Sequence, residues 1–191
     1  MIHKFDVKNK HKLDSEQRRE LLPPEKTLLS LGLQSGDIMA DIGCGIGYFS
    51  IPASKILGTS GKVFALDISQ EMLKEVEKKI IELNISNIKT ILTDGDKLEL
   101  KNFGINFAFV SHVIHEIEGK EKFLEEIKSI LVDKGRIAIV EWQKINAEFG
   151  PPKEHRIDKA DLMQILKDLD FHNISDIDIG ENFYGITAEK H

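Results

Sequence analysis

Residues 37–50 read DIMADIGCGIGYFS, and their punctuation sets the fold class. A short, mostly apolar run, DIMADI, ends in glycines at alternate positions, Gly43, Gly45 and Gly47, with Asp41 just ahead of them. Short apolar runs bounded in this way read as buried strands. Glycines at the carboxyl end of such a strand tighten the turn and let a ligand lie against backbone N–H groups. YFSIPASKIL (48–57) follows as a helix, with Pro52 in its first turns and Gly58 as its stop.

Outward from this stretch the alternation continues. KVFALDI (62–68) is a second strand, and SQEMLKEVEKKIIEL (69–83) is an amphipathic helix with Ser69 as its N-cap. Its apolar face carries Met72, Leu73, Val76, Ile80 and Leu83. NIKTILT (87–93), INFAFV (105–110) and RIAIVEW (136–142) are further strands, and KEKFLEEIKSIL (120–131) is a second amphipathic helix closed by DKGR. Strands and helices in strict alternation give a parallel sheet with helices on both faces. After a helix at 159–169, NISDIDI (173–179) and NFYGITAEK (182–190) are separated only by Gly180 and Glu181, so they are expected to pair as an antiparallel hairpin. The expected fold is an α/β, Rossmann-like three-layer sandwich: a seven-stranded, mostly parallel sheet with a C-terminal antiparallel hairpin. Two short helices, DSEQRRELL and PEKTLLSLGL, are broken by Pro23 and Pro24. The chain thus reads as one domain, 1–191, with a helical cap over 1–36 and a ligand-binding core over 37–191. Residues 143–157 (QKINAEFGPPKEHRI) carry no periodic pattern, which marks a functional or mobile loop.

The 191 residues are 41% hydrophobic and 30% charged, as in an ordinary globular domain. A net charge of -6 argues against a phosphate-tracking surface, so nucleic acid is not an expected partner, although Lys4, Lys8, Lys10 and Lys12 make the first dozen residues basic. The one cysteine, Cys44, rules out an intrachain disulfide and fits a reducing compartment. No apolar run approaches the roughly 18 residues of a membrane span. The start MIHKFDVKNK lacks the apolar core of a signal peptide. The expected location is the cytoplasm.

The glycine spacing separates two cofactor classes. A nicotinamide fingerprint, G-x-G-x-x-G, would need its last glycine where Tyr48 or Ser50 stands. What is present is D-I-G-C-G-I-G. With Asp67 ending the second strand and TDGD (93–96) ending the third, it resembles the class I S-adenosylmethionine-dependent methyltransferases. VSHVIHEIEGKEKFLEEIKSILVDKGRIAIVEW, after the fourth strand, is similar to their type 11 and ubiquinone/menaquinone-biosynthesis groups.

The resemblance implies that the loop Gly43–Cys44–Gly45 passes under the methionine and ribose of S-adenosylmethionine. It implies that Asp67 accepts from the ribose hydroxyls, and that Ile68 and Met72 pack on the adenine. Asp94, or Asp96 across Gly95, accepts from the adenine amino group, with a neighbouring backbone N–H reaching the ring. Asp41 orients the loop or reaches the cofactor's ammonium, and Ser111 and His112 lie toward its carboxylate. Two departures are the single glycine in DKGR and Asn106, where the family often has an acidic residue.

Methyl transfer from a sulfonium is an in-line displacement that needs positioning, dryness and a proton acceptor. Candidate bases are His112, His115, Glu116, Glu141 and His155, with His115 preferred because histidine titrates near neutrality. No metal site is expected, since His112 and His115 have no evident third ligand. The chain lacks the Asn-Pro-Pro-Tyr motif of planar-amine methyltransferases and the several cysteines of arsenic methyltransferases. The expected acceptor is a small molecule, with Phe5, Tyr48, Trp142 and Phe149 as apolar walls. The alternatives are a nicotinamide-dependent oxidoreductase and a non-catalytic S-adenosylmethionine-binding protein.

Overall fold

The computed structural model describes residues 13–95, 97–147 and 150–191. Its strands are β1 (Ile38–Ile42), β2 (Lys62–Asp67), β3 (Ile88–Leu92), β4 (Ile105–Ser111), β5 (Leu131–Trp142), β6 (Phe171–Ile177) and β7 (Phe183–Lys190). They form one sheet in the order β3-β2-β1-β4-β5-β7-β6. β1 to β5 run parallel, and β7 lies antiparallel between β5 and β6. The helices are α1 (Glu16–Leu21), α2 (Pro24–Ser30), α3 (Ser50–Leu57), α4 (Gln70–Glu82), α5 (Lys120–Ile130) and α6 (Lys159–Asp168).

The sequence pattern explains the layers. Parallel strands buried on both faces read as continuous apolar runs, and Val63–Leu66 of β2 are all buried. Alternate residues feed two cores. Ala40, Ile42, Phe64 and Leu66 join α5 and α6 through Leu124, Ile127 and Leu162. Met39, Val63, Ala65 and Phe109 join α2, α3 and α4 through Leu28, Leu57 and Leu73. The strand order reverses at β1, with β2 and β3 on one side and β4 on the other. The loops leaving β1 and β4 therefore diverge, and a crevice opens above their carboxyl ends.

Several expectations shift. The first helix after the glycines begins at Ser50 rather than at residue 48, so Pro52 sits in its first turn. Leu83 is 57% exposed, because α4 stops at Glu82 and the cap residue leaves the sheet. β5 begins at Leu131, directly behind α5. The register then shifts between Ile105 and Phe107, and the regular ladder resumes at Arg136. The hairpin connection runs over residues 178–182 rather than two residues, and β6 starts at Phe171. Asn106 accepts from the Ile38 N–H at 2.8 Å, so its amide ties β4 to the entry of β1. Arg136 links the other side of that entry, donating to Asp37 at 2.7 Å and to the Gly32 carbonyl.

Candidate functional site

A cavity of about 1100 Å³ lies at the carboxyl ends of β1, β2, β4 and β5. The glycine loop forms its floor. The N–H groups of Gly43 and Cys44 both donate to the Leu66 carbonyl at 2.9 Å, which pins the loop to β2. Gly43 has φ +76, and a Cβ there would stand 2.3 Å from Val113 Cγ2. The first glycine thus makes room for the turn after β4, as well as lining the cavity.

Asp67 organises this floor. Its Oδ2 accepts from the Gly45 N–H and its Oδ1 from the Ser69 N–H, each at 2.8 Å. The carboxylate has four acceptor positions, and the backbone N–H groups of Ser69, Gly45 and Ile68 draw on them, so acceptor capacity remains toward the cavity. Burial raises this carboxyl above its usual range, and the backbone N–H bonds oppose that shift. Asp41, 2% exposed, accepts from the Ser50 hydroxyl and so joins β1 to the start of α3. Burial pushes its carboxyl up to about 7, the Ser50 hydroxyl pulls it down, and the Asp67 charge adds to the rise. Both carboxylates face the cavity.

Cys44, Ile68, Met72, Gly95 and Ser111 also line it. Asp94 does not. It is exposed, and its Oδ1 accepts from the Lys97 N–H at 3.2 Å, turning the side chain into its own loop. Asp96 lies outside the described residues, as do Phe5, Phe149 and the lysines at 4, 8, 10 and 12. Thr93, not singled out from sequence, lines the cavity beside Gly95.

The turn after β4 builds the opposite wall. His112 adopts φ +58, and its Nδ1 is hydrogen-bonded with Ser111 Oγ at 2.9 Å. Its Nε2 is shut off from solvent and has no hydrogen-bond partner among the described residues. The ring packs 4.8 Å from Trp142 and 5.3 Å from Phe183, centroid to centroid. Burial, then the nearby charges of Arg18 and His115, hold this imidazole well below its ordinary value, so it is neutral.

His115 belongs to a 3₁₀ turn, Ile114–Glu116. Its Nδ1 meets Glu141 Oε2 at 2.8 Å, and its backbone N–H donates to Glu141 Oε1 at 3.2 Å. Glu141, 1% exposed at the end of β5, also accepts from the Trp142 N–H. An ionised Glu141 places the imidazole proton on Nδ1 and leaves the lone pair of the neutral ring on Nε2. Burial alone would lower the His115 value. The hydrogen bond and charge of Glu141, with the Glu116 charge, outweigh it and raise it. Glu116 Oε1 lies 3.9 Å from His115 Nε2, and burial lifts its carboxyl to about 7. His115 and Glu116 line the cavity, whereas His155 is exposed and away from it.

Arg18 on α1 was not singled out from sequence. Among the described residues it is the one Lys or Arg side chain lining the cavity. Its guanidinium lies 4.3 Å over the Tyr48 ring and donates to the Leu13 carbonyl at 2.9 Å, while burial lowers its pKa. Tyr48 in turn donates its hydroxyl to the Leu22 carbonyl, which ties the residue after α1 to the glycine loop. On the far side Gly150 and Pro151 close the wall. Arg156 holds that segment by donating to the carbonyls of Pro151, Gln143 and Ile145. Among the described residues no group of three His, Cys, Asp or Glu is placed to hold a metal ion, and no helix is long and apolar enough to cross a membrane.

Comparison with known proteins matches this geometry. A crystal structure of an S-adenosylmethionine-dependent methyltransferase from Aquifex aeolicus superposes with a TM-score of 0.92 at 31% identity, covering 98% of this chain and 100% of that one. Demethylmenaquinone methyltransferase of Lactobacillus johnsonii is 30% identical over 119 residues, 61% of this chain and 48% of that protein. The chain spans about half the length of the curated relatives it matches. Phosphoethanolamine N-methyltransferase 2 of Haemonchus contortus, solved with S-adenosylmethionine, shares the fold with a TM-score of 0.72 at 16% identity, covering 87% of this chain and 52% of that one. A family model described as a methyltransferase domain matches residues 33–182. The chain belongs to that family, the class I S-adenosylmethionine-dependent methyltransferases.

Proposed function

We propose that this protein transfers a methyl group from S-adenosylmethionine to a small-molecule acceptor. The observation that carries the reading is the double character of one cavity. The glycine loop, Asp67 and Met72 share its lining with His115, Glu116 and Trp142. At about 1100 Å³ the cavity exceeds the roughly 300–1,000 Å³ usual for one ligand, so cofactor and acceptor fit together. S-adenosylmethionine supplies an already electrophilic methyl carbon on a sulfonium.

Asp67 has free acceptor positions for ribose hydroxyls, and Ile68 and Met72 offer apolar surface for the base. Asp41 meets the ammonium or the sulfonium. Arg18 is the cation for the cofactor's carboxylate. With Asp94 turned away and exposed, the adenine amino group is assigned to backbone acceptors near Thr93 and Gly95. His115, oriented by Glu141, is the proton acceptor. The relatives' acceptors are not transferred, because the match covers about half of their length. The lone cysteine keeps a reducing, cytoplasmic setting as part of the proposal.

The test is release of S-adenosylhomocysteine from S-adenosylmethionine over amines, phenols, thiols and carboxylates. Acceptor-dependent release supports catalysis. Silence across all four classes, with the cofactor bound, makes the protein a cofactor binder without transferase activity.

A further inference from the structure

The acceptor end of the cavity carries its own chemical signature. His115 Nε2 and Glu116 Oε1 stand 3.9 Å apart on the cavity wall. An ionised Glu141 accepts a hydrogen bond from the His115 Nδ1–H, so in the neutral ring Nε2 is a lone-pair acceptor. An ionised Glu116 is acceptor-only. The site therefore presents two acceptors that converge, with no donor between them. An atom placed about 2.9 Å from both would view them at an angle of about 85°. Two N–H bonds on a tetrahedral nitrogen span that angle with modest bending. A hydroxyl or thiol has one hydrogen and leaves the second acceptor facing a lone pair.

The charge around the pair points the same way. Glu141 is already matched by His115 and by two backbone N–H groups. Glu116 has His115 as its one ion-pair partner among the described residues, at 3.9 Å. Among the described residues the lone Lys or Arg of the cavity lining, Arg18, belongs to α1 and stacks on Tyr48. An anionic acceptor placed beside Glu116 meets repulsion, and a cationic one is attracted. Ile117, Phe123, Trp142 and Phe183 add apolar and aromatic surface to the same lining. Aromatic faces attract alkylammonium groups, including methylated ones.

We propose that the acceptor is a primary or secondary amine with an apolar body, held as its ammonium by Glu116 and deprotonated by His115. This rests on the methyltransferase reading and names its substrate class. In the step, the ammonium gives one proton to His115 Nε2, forming an imidazolium held by Glu141. The neutral amine then turns on its remaining hydrogen bond to Glu116, so that the freed lone pair leaves His115 and faces the methyl carbon, and it forms the N–C bond as the C–S bond breaks. That electron pair returns to sulfur, leaving a neutral thioether. The product ammonium keeps a hydrogen on Glu116. A tertiary amine carries a single N–H in its protonated form, so methylation stops before the quaternary stage.

The experiment is calorimetric titration of the S-adenosylhomocysteine complex with benzylamine, benzyl alcohol and benzoate, in the parent protein and in Glu116→Gln. The expected order is benzylamine at least tenfold tighter than benzyl alcohol, with benzoate weakest. Glu116→Gln should weaken benzylamine at least tenfold and leave S-adenosylhomocysteine affinity within about twofold. Benzyl alcohol or benzoate binding as tightly as the amine overturns the proposal, and so does an S-adenosylhomocysteine complex that takes up no benzylamine. An effect of Glu116→Gln on S-adenosylmethionine alone also overturns it, since the carboxylate would then serve the sulfonium. A protein that takes up no S-adenosylhomocysteine at all fails the cofactor reading first, and the amine proposal falls with it.

Discussion

Asp67 serves two partners at once, and a single substitution can separate them. Its oxygens hold the Gly45 and Ser69 N–H groups while facing the cavity. Asparagine keeps the shape but turns an NH₂ donor toward one of those N–H groups. Asp67→Asn is therefore expected to weaken S-adenosylhomocysteine binding by roughly 1–3 kcal/mol, read by calorimetry, in a protein that still folds. Arg18 separates differently. Arg18→Met is expected to cost about tenfold in S-adenosylhomocysteine affinity, since a charge-assisted bond is lost. It should leave 5′-methylthioadenosine, which lacks the carboxylate, unchanged. Equal loss for both ligands would place Arg18 away from the carboxylate.

The pH profile belongs to His115 and its neighbours. Glu141 of β5 and Glu116 of the same turn raise its value, while burial and Lys120 of α5 lower it. A protonated Nε2 cannot accept a proton, so kcat/KM should rise as pH climbs through that raised value. Glu116, which burial lifts to about 7, ionises as pH climbs through that value and adds to the rise. Glu116→Gln removes one raising charge, so the remaining limb should move to lower pH. A profile that does not move would detach Glu116 from the base.

At the level of elements, Arg156 ties together described parts of the segment between β5 and α6. Arg156 is buried, donates to three carbonyls and lies 5.4 Å over Trp142. Gly150 presses on the same indole, where a Cβ would stand 2.9 Å from Cε3. Arg156→Ala should loosen this wall and shift the emission of Trp142, the single tryptophan of the chain. Arg156→Lys should not restore it, because an ammonium cannot span three carbonyls spread across the guanidinium's fork.

Segment 143–157 also marks where sequence reading stops. The parallel strands were legible because burial on both faces gives short continuous apolar runs, and the amphipathic helices because burial of one face imposes a period of 3.6. The Gly43–Gly45 loop and Asp67 were legible because tight turns and ligand acceptors constrain residue type. The partnership of His115 with Glu141 was not, since it joins positions 26 residues apart across β5. Arg18 was hidden for a similar reason. α1 has six residues, none buried, so no periodicity distinguishes its inward face. TDGD drew attention to Asp94, but a short polar side chain can bond its own backbone equally well, and here it does.

Across the whole molecule, buried carboxyls couple stability to pH. Asp41 titrates near 7 in the fold and near 4 when unfolded. Below about pH 4 both states are protonated. As pH rises the unfolded state ionises first, so native stability falls until about pH 7 and then levels. The loss is up to roughly 4 kcal/mol for this group alone. Urea unfolding should therefore show a less stable protein at pH 8 than at pH 5. Asp41→Asn, which still accepts from Ser50, should flatten that slope. A cationic ligand beside Asp41 favours its ionised form, so binding of S-adenosylmethionine near pH 7 should release protons.

The sheet order, the two cores and α1 all meet at one crevice, where S-adenosylmethionine is expected to bind. The most direct measurement is calorimetric titration of the purified protein with S-adenosylhomocysteine and, separately, with NADH. The account predicts saturable one-to-one binding of S-adenosylhomocysteine, weakened by Asp67→Asn, and no heat with NADH. Saturable NADH binding with no response to S-adenosylhomocysteine would contradict it.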